Sequence, residues 1–195
     1  MKKHTILPLL LLLLMMTGCS QDYSLQKSVF INDTDNPGLP VYSEWGYNTF
    51  GTYIDRKAFI SNTSDLPAKI IVNKDTFNLL FKGSWKGEDV TLKFAILGYA
   101  PADYPDLIAL NDSTIDLTAS RCIVTFSGPF LPVKFDIYEG NLFFKRIQNL
   151  YVDKVLTESI LSGTFNFKTF MGGEPVAFSN GRFDVGIGYD NFFKF

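Results

Sequence analysis

From Trp45 onward the chain alternates apolar and polar residues over short runs, and turn residues interrupt those runs every few positions. Period two puts successive side chains on opposite faces of an extended backbone, so the pattern points to strands rather than helices. Phe50, Thr52 and Ile54 share one face, with Gly51, Tyr53 and Asp55 on the other. Val90, Leu92, Phe94 and Ile96 form a second apolar face, and Phe165 and Phe167 belong to a third. Asp55-Arg56-Lys57, Asn73-Lys74-Asp75, Lys86-Gly87-Glu88, Glu139-Gly140-Asn141 and Met171-Gly172-Gly173-Glu174 supply turns between them. This spacing predicts about ten strands, hence a mainly β fold: a single antiparallel β-sandwich or barrel-like domain over residues 45–195. The 19 Phe, 9 Tyr and 2 Trp suit a core between two sheet layers or inside a barrel. Helical signals are few. Ile147, Leu150, Tyr151 and Val155 stand at helical spacing inside a β-rich run, and Pro101–Asn111 reads as a long loop with one helical turn at Asp106–Leu110.

The N-terminus has a different character. Met1-Lys2-Lys3 is a basic start, and Ile6–Met16 is an apolar run of 11 residues, too short to span a bilayer. Met16-Thr17-Gly18-Cys19 follows and resembles a bacterial lipobox. That resemblance implies residues 1–18 as a lipoprotein signal peptide and Cys19 as the lipidated N-terminus. Diacylglycerol plus an amide-linked acyl chain gives stable attachment, so the membrane is an expected partner through the anchor. Ser20 follows the cysteine where inner-membrane retention would place Asp, so the outer membrane is the default location, facing either the periplasm or the surface. Residues 19–44 read as a lipid-anchored flexible tether: Asn32-Asp33-Thr34-Asp35-Asn36-Pro37-Gly38 and Pro40 are loop residues without apolar periodicity. Asp33 and Asp35 suggest the start of a calcium loop, but Pro37 occupies a ligand position and no closing Glu follows, so no metal site is expected.

The catalytic options are narrow. The one histidine, His4, lies in the signal, which removes imidazole chemistry from the mature chain. Cys122 would then be alone, on the apolar face it shares with Val124 and Phe126, where a thiol behaves as a small hydrophobe. No phosphate loop, cysteine cluster or nucleophile elbow is present, so no cofactor and no catalytic residue is expected. Without Lys2 and Lys3 the balance is 16 basic against 20 acidic residues, or −4, which gives no attraction to nucleic acid. Asp103, Asp106, Asp112 and Asp116 are the densest acids and read as loop residues; Asp112-Ser113-Thr114 resembles a short periplasmic O-glycosylation sequon.

The most specific run is C-terminal: Ser162-Gly163-Thr164-Phe165-Asn166-Phe167, then Asn180-Gly181-Arg182-Phe183-Asp184-Val185. It resembles the ending of a family of Gram-negative lipoproteins of unknown function, whose N-terminal parts carry a segment like Gly51–Phe59. The resemblance implies lipidation and an all-β domain, and no activity. Alternation places Phe165, Phe167, Phe183 and Val185 in the core, with Ser162–Phe170 and Val176–Ile187 as antiparallel neighbours. Asn180-Gly181 reads as a tight turn. Arg182 and Asp184, ~7 Å apart, read as a solvent-facing ion-pairing face. The tail, Phe192-Phe193-Lys194-Phe195, reads as a last strand packed on the domain. The expected function is a non-catalytic binding or accessory module with a protein or glycan partner. Alternatives are a carrier of a small apolar ligand in a β-barrel cavity and a carboxylate-based hydrolase.

Overall fold

The computed structural model describes residues 28–61, 66–128 and 132–195. The signal peptide, Cys19 and the first part of the expected tether lie outside the described residues. Among the described residues twelve strands form one sheet: β1 (Thr49–Ile54), β2 (Lys57–Ser61), β3 (Ala68–Asn73), β4 (Thr76–Trp85), β5 (Glu88–Leu97), β6 (Ser113–Asp116), β7 (Cys122–Ser127), β8 (Val133–Lys134), β9 (Glu139–Val152), β10 (Val155–Met171), β11 (Glu174–Ile187) and β12 (Phe192–Lys194). The order is β6-β9-β10-β11-β1-β2-β4-β5-β7-β8, with β3 also beside β4 and β12 beside β3. All pairings are antiparallel except β12 with β3. The sheet curls on itself without closing, so the expected mainly β, barrel-like domain is what the chain forms.

Facing rings hold the two halves of the curl together. Phe81 of β4 meets Phe183 of β11 at 5.3 Å between ring centroids, and Phe94 of β5 meets Phe165 of β10 at 5.3 Å. Phe126 of β7 reaches Phe178 of β11 at 6.1 Å. Phe135, just after β8, packs on Phe126, Phe167 and Phe178. Phe50, Phe81, Phe165, Phe167, Phe178 and Phe183 are all at most 1% exposed, so these rings occupy the interior instead of lining a hollow.

The C-terminal hairpin has the expected partners and faces. β10 pairs with β11 around Gly172 and Gly173, both at positive φ, and Phe165, Phe167, Phe183 and Val185 are buried. Its signature residues have a packing explanation. Gly163 stands opposite Phe183, and Phe165 opposite Gly181, so each glycine sits under the other strand's ring. A Cβ at Gly163 would lie 2.5 Å from Phe183 Cζ and 2.1 Å from the Phe143 carbonyl oxygen; one at Gly181 would lie 2.6 Å from Phe165 Cδ2. The repeated Gly-x-Phe is thus a reciprocal ring-over-glycine clasp.

Some expectations are corrected. Asn180-Gly181 makes no hairpin turn. Asn180 takes φ +53° inside β11, and Ser179 and Asn180 together stand against Asn166, which is a β-bulge. The Ile147–Val155 stretch is strand and turn, with Asp153 and Lys154 both at positive φ. Asp55 and Arg56 form the expected turn, at positive φ without glycine. β8 is a strand of only two residues, Val133–Lys134. Pro101–Asn111 holds a short 3-10 helix, Tyr104–Leu110, which packs Tyr104, Leu107 and Leu110 inward.

The largest correction concerns the tether. Over residues 28–44 the segment is fastened to the domain: Leu39 is fully buried, Val29 bonds the Tyr47 carbonyl, Tyr53 bonds the Pro37 carbonyl and Arg182 pairs with Asp33.

Candidate functional site

Residues 28–47 form a strap across the outer face of β1, β10 and β11, and most of the unusual chemistry of the described residues lies beneath or beside it. Pro40 crosses directly over Gly51, where a Cβ would lie 2.6 Å from the proline Cδ. Asp33 accepts from the Asp35 backbone and the Asn36 amide and pairs with Arg182. Asn36 in turn receives the Asn180 amide at 2.6 Å, and Tyr53 donates its hydroxyl to the Pro37 carbonyl at 2.9 Å. The Asn36 amide bond, together with the others, holds the Asp33 carboxyl below the usual range. Asp33, suspected of starting a calcium loop, is therefore a strap fastening, and Asp35 bonds it through its backbone. Among the described residues no cluster of three or more His, Cys, Asp or Glu could hold a metal ion.

Asp184 is the centre of the arrangement. It shares the outward face with Arg182, as alternation requires, yet it is 1% exposed because the strap covers it. Five groups donate to its carboxylate: the hydroxyls of Ser43 and Ser162, and the backbone N–H groups of Trp45, Gly46 and Tyr47. The three backbone bonds measure 3.2, 2.8 and 3.0 Å. Successive N–H groups curled around one anion form a nest, here filled by the protein's own carboxylate. The expected solvent-facing, ion-pairing face of Arg182 and Asp184 is therefore covered, and each residue makes its own strap contact. Arg182 bonds Asp33, with both side chains mostly covered.

Beside the latch, Glu44 receives the Tyr42 hydroxyl at 3.0 Å and both Lys145 and Arg146 at 3.3 Å. Two adjacent strand residues reach the same carboxylate because β9 bulges there: Ser162 pairs with Arg146 and Gly163 with Phe144, which leaves Lys145 as an extra residue. Burial pushes the Glu44 carboxyl up, but the bonds from Tyr42, Arg146 and Lys145 outweigh this and hold it below its ordinary value. Burial, then Glu44, pushes the Tyr42 phenol well up. Lys145 also lies 4.8 Å from the Tyr42 ring centroid.

A cleft of about 490 Å³ opens between this strap and the hairpin bulge. Tyr42, Thr164, Asn166, Ser179, Asn180 and Arg182 line it. Its groups are an aromatic ring, hydroxyls, amides and one already paired guanidinium. A smaller cleft, about 160 Å³, holds Glu158 with Gly186, Gly188 and Tyr189. Glu158 lies across Gly186, where a Cβ would come within 2.1 Å of its Oε2, and burial, then the nearby Asp184, raises its pKa. A carboxyl raised in the fold binds protons more readily folded than unfolded. Its charge therefore opposes folding as pH rises above the ordinary 4.5. Glu158→Gln should accordingly raise the melting temperature at pH 7, with the gain vanishing on acidification below the ordinary carboxylate range. Melting curves across pH check this, and an unchanged or lowered temperature at pH 7 contradicts it.

The acid-rich loop has local roles. Asp103 caps the 3-10 helix, Asp106 returns bonds to the Ala102 and Asp103 backbones, and Asp116 accepts from Thr118. Asp112 occupies a turn at φ +53°, with Ser113 and Thr114 opening β6. Cys122 is half-buried against the core and its thiol pKa is pushed up by burial. The strap latch and the cleft were not legible as sites beforehand, since residues 28–47 carry no periodic signal. Comparison with protein-family models, with curated proteins and with solved structures found no match.

Proposed function

We propose that this chain is an envelope lipoprotein, acylated at Cys19 and held at the outer membrane, whose β domain is a non-catalytic binding module for a protein or glycan partner. The observation that carries this reading is the cleft beside the strap. Its amides of Asn166 and Asn180, hydroxyls of Thr164 and Ser179 and ring of Tyr42 offer paired donors and acceptors beside an aromatic wall, which suits sugar hydroxyls.

The alternatives fare less well. A carrier needs a hollow interior, and rings occupy the described one. A carboxylate hydrolase needs two acids open to substrate. Asp184 and Glu158 are close enough to influence each other, but Asp184 is sealed beneath five donors.

The test has two arms. Cys19→Ser should abolish acylation and leave uncleaved precursor, read by mass and palmitate labelling. Titration of an oligosaccharide panel into the mature protein should shift resonances around the cleft. Asn166→Ala, at an exposed position, should weaken that binding tenfold or more with the melting temperature unchanged. Binding that survives Asn166→Ala would place the contact elsewhere.

A further inference from the structure

Building on the lipoprotein reading, we infer that one end of the domain rests on the membrane to which Cys19 is anchored. The first ground is chain length. Backbone bonds hold the chain from Val29 onward, so the connection from Cys19 to the fastened segment is short. Ser28 stands nine residues after Cys19, so the connection spans at most roughly 30 Å. A tether running to residue 44 would allow the domain to stand far from the bilayer; a connection that ends at residue 28 does not.

The second ground is where that short connection joins. Val29 bonds Tyr47, immediately before β1, so the chain enters at the end where β1 and β4 begin and β3, β5, β9 and β11 finish. That same end gathers exposed apolar side chains: Ile108, Tyr151, Val152, Val155, Tyr189 and Phe195. Tyr151, Val155 and Tyr189 are 60%, 64% and 78% exposed. The opposite end has fewer, and its Tyr138 and Phe170 cover each other at 5.2 Å.

The third ground is shape. β11 ends at Ile187, opposite Ser159, but the β9–β10 ladder continues through Leu156 with Tyr151 and Val155 with Val152. This leaves about 13 Å of two-stranded ribbon projecting beyond its neighbour. The 3-10 helix braces it, with Asn149 donating to the Pro105 carbonyl and Ser159 to the Tyr104 carbonyl. A rigid ribbon tipped with tyrosine and valine, on the end nearest the anchor, has the amphipathic character of interfacial residues, with tyrosine rings at headgroup level. At this end Asp103 and Asp106 lie on the bracing helix, Asp153 in the ribbon turn, Asp75 in the β3–β4 turn and Asp190 after Tyr189, against Lys74, Lys154 and Lys194. Zwitterionic lipid is therefore the preferred surface, and anionic lipid opposes docking.

The experiment uses the full acylated chain in lipid nanodiscs of phosphatidylethanolamine and phosphatidylcholine, with a fraction of doxyl-labelled lipid. Methyl resonances of Ile108, Val152 and Val155 should lose at least threefold in intensity, while Val133 and Val176 keep theirs. Replacing a quarter of the lipid with phosphatidylglycerol should reduce the effect. Tyr151→Ser with Val155→Ser, both exposed, should relieve the broadening at Val152. Equal broadening at Val133, or none at Val152 in a chain shown by mass to be acylated, overturns the docking and leaves the anchor standing. A chain shown to lack the acyl groups overturns both. Protection of the same methyls that follows protein concentration at fixed lipid assigns the end to a second copy and overturns the lipid assignment.

Discussion

Alanine at Phe183 should destabilise the fold by ~3–5 kcal/mol, a large share of the ~5–15 available to a domain of this size. The ring is 1% exposed and packs on Phe81 at 5.3 Å and Phe144 at 5.8 Å. It also covers Gly163 across the hairpin, so truncation opens a cavity that glycine cannot fill. Phe81 in turn contacts Phe50, Phe94 and Phe165, and loss of its partner loosens both halves of the curl. Arg182→Ala, one residue away on the other face, should cost distinctly less, because it removes a strap contact and leaves the core intact. Urea denaturation of both variants gives the order. If Arg182→Ala proves the more damaging, the hairpin register is shifted by one residue and every face assigned to β11 is inverted.

Alternation made the core side of this hairpin legible in the sequence, since Phe165, Phe167, Phe183 and Val185 obey period two on either side of a Gly-Gly turn. The same signal is silent about what covers the opposite side. It correctly sets Arg182 and Asp184 on one face, but solvent was a default that the strap overturns. The strap itself has no period to detect. Leu39 is a single apolar residue among turn formers, and its burial depends on Gly51 and Ile60 brought near it by the sheet. Bulges are hidden for a related reason. Asn180-Gly181 has the composition of a tight turn, and only its pairing with Asn166 and Phe165 makes it an interruption inside one long strand. Asp153-Lys154 shows the reverse: a true turn without glycine, whose positive φ values are sustained by the ladder on both sides. The cleft inherits both difficulties, because its walls are a strap residue and a bulge.

Removal of the Asp184 carboxylate should have the second large effect, and a local one. Asp184→Ala leaves five donors without their acceptor. A hydrogen bond to a charged group contributes ~1.5–3 kcal/mol, so the loss is ~3 kcal/mol or more even after the strap lifts and water re-solvates its N–H groups. Asp184→Asn is the sharper variant. It keeps the volume, but it offers one oxygen to donors that approach both, and its own NH₂ confronts the N–H groups of Trp45, Gly46 or Tyr47. The expected result for either change is loss of exchange protection at the amides of residues 45–47, with the β10–β11 amides still protected. The latch is then the point from which the strap opens, a unit less stable than the sheet beneath it. Binding in the cleft should fall with it, since Tyr42 reaches the wall only while the strap is seated. Hydrogen exchange read residue by residue decides the matter. If Asp184→Asn retains full protection at Trp45, Gly46 and Tyr47, the charge does not hold the strap, and Leu39 with the Arg182–Asp33 pair must hold it instead.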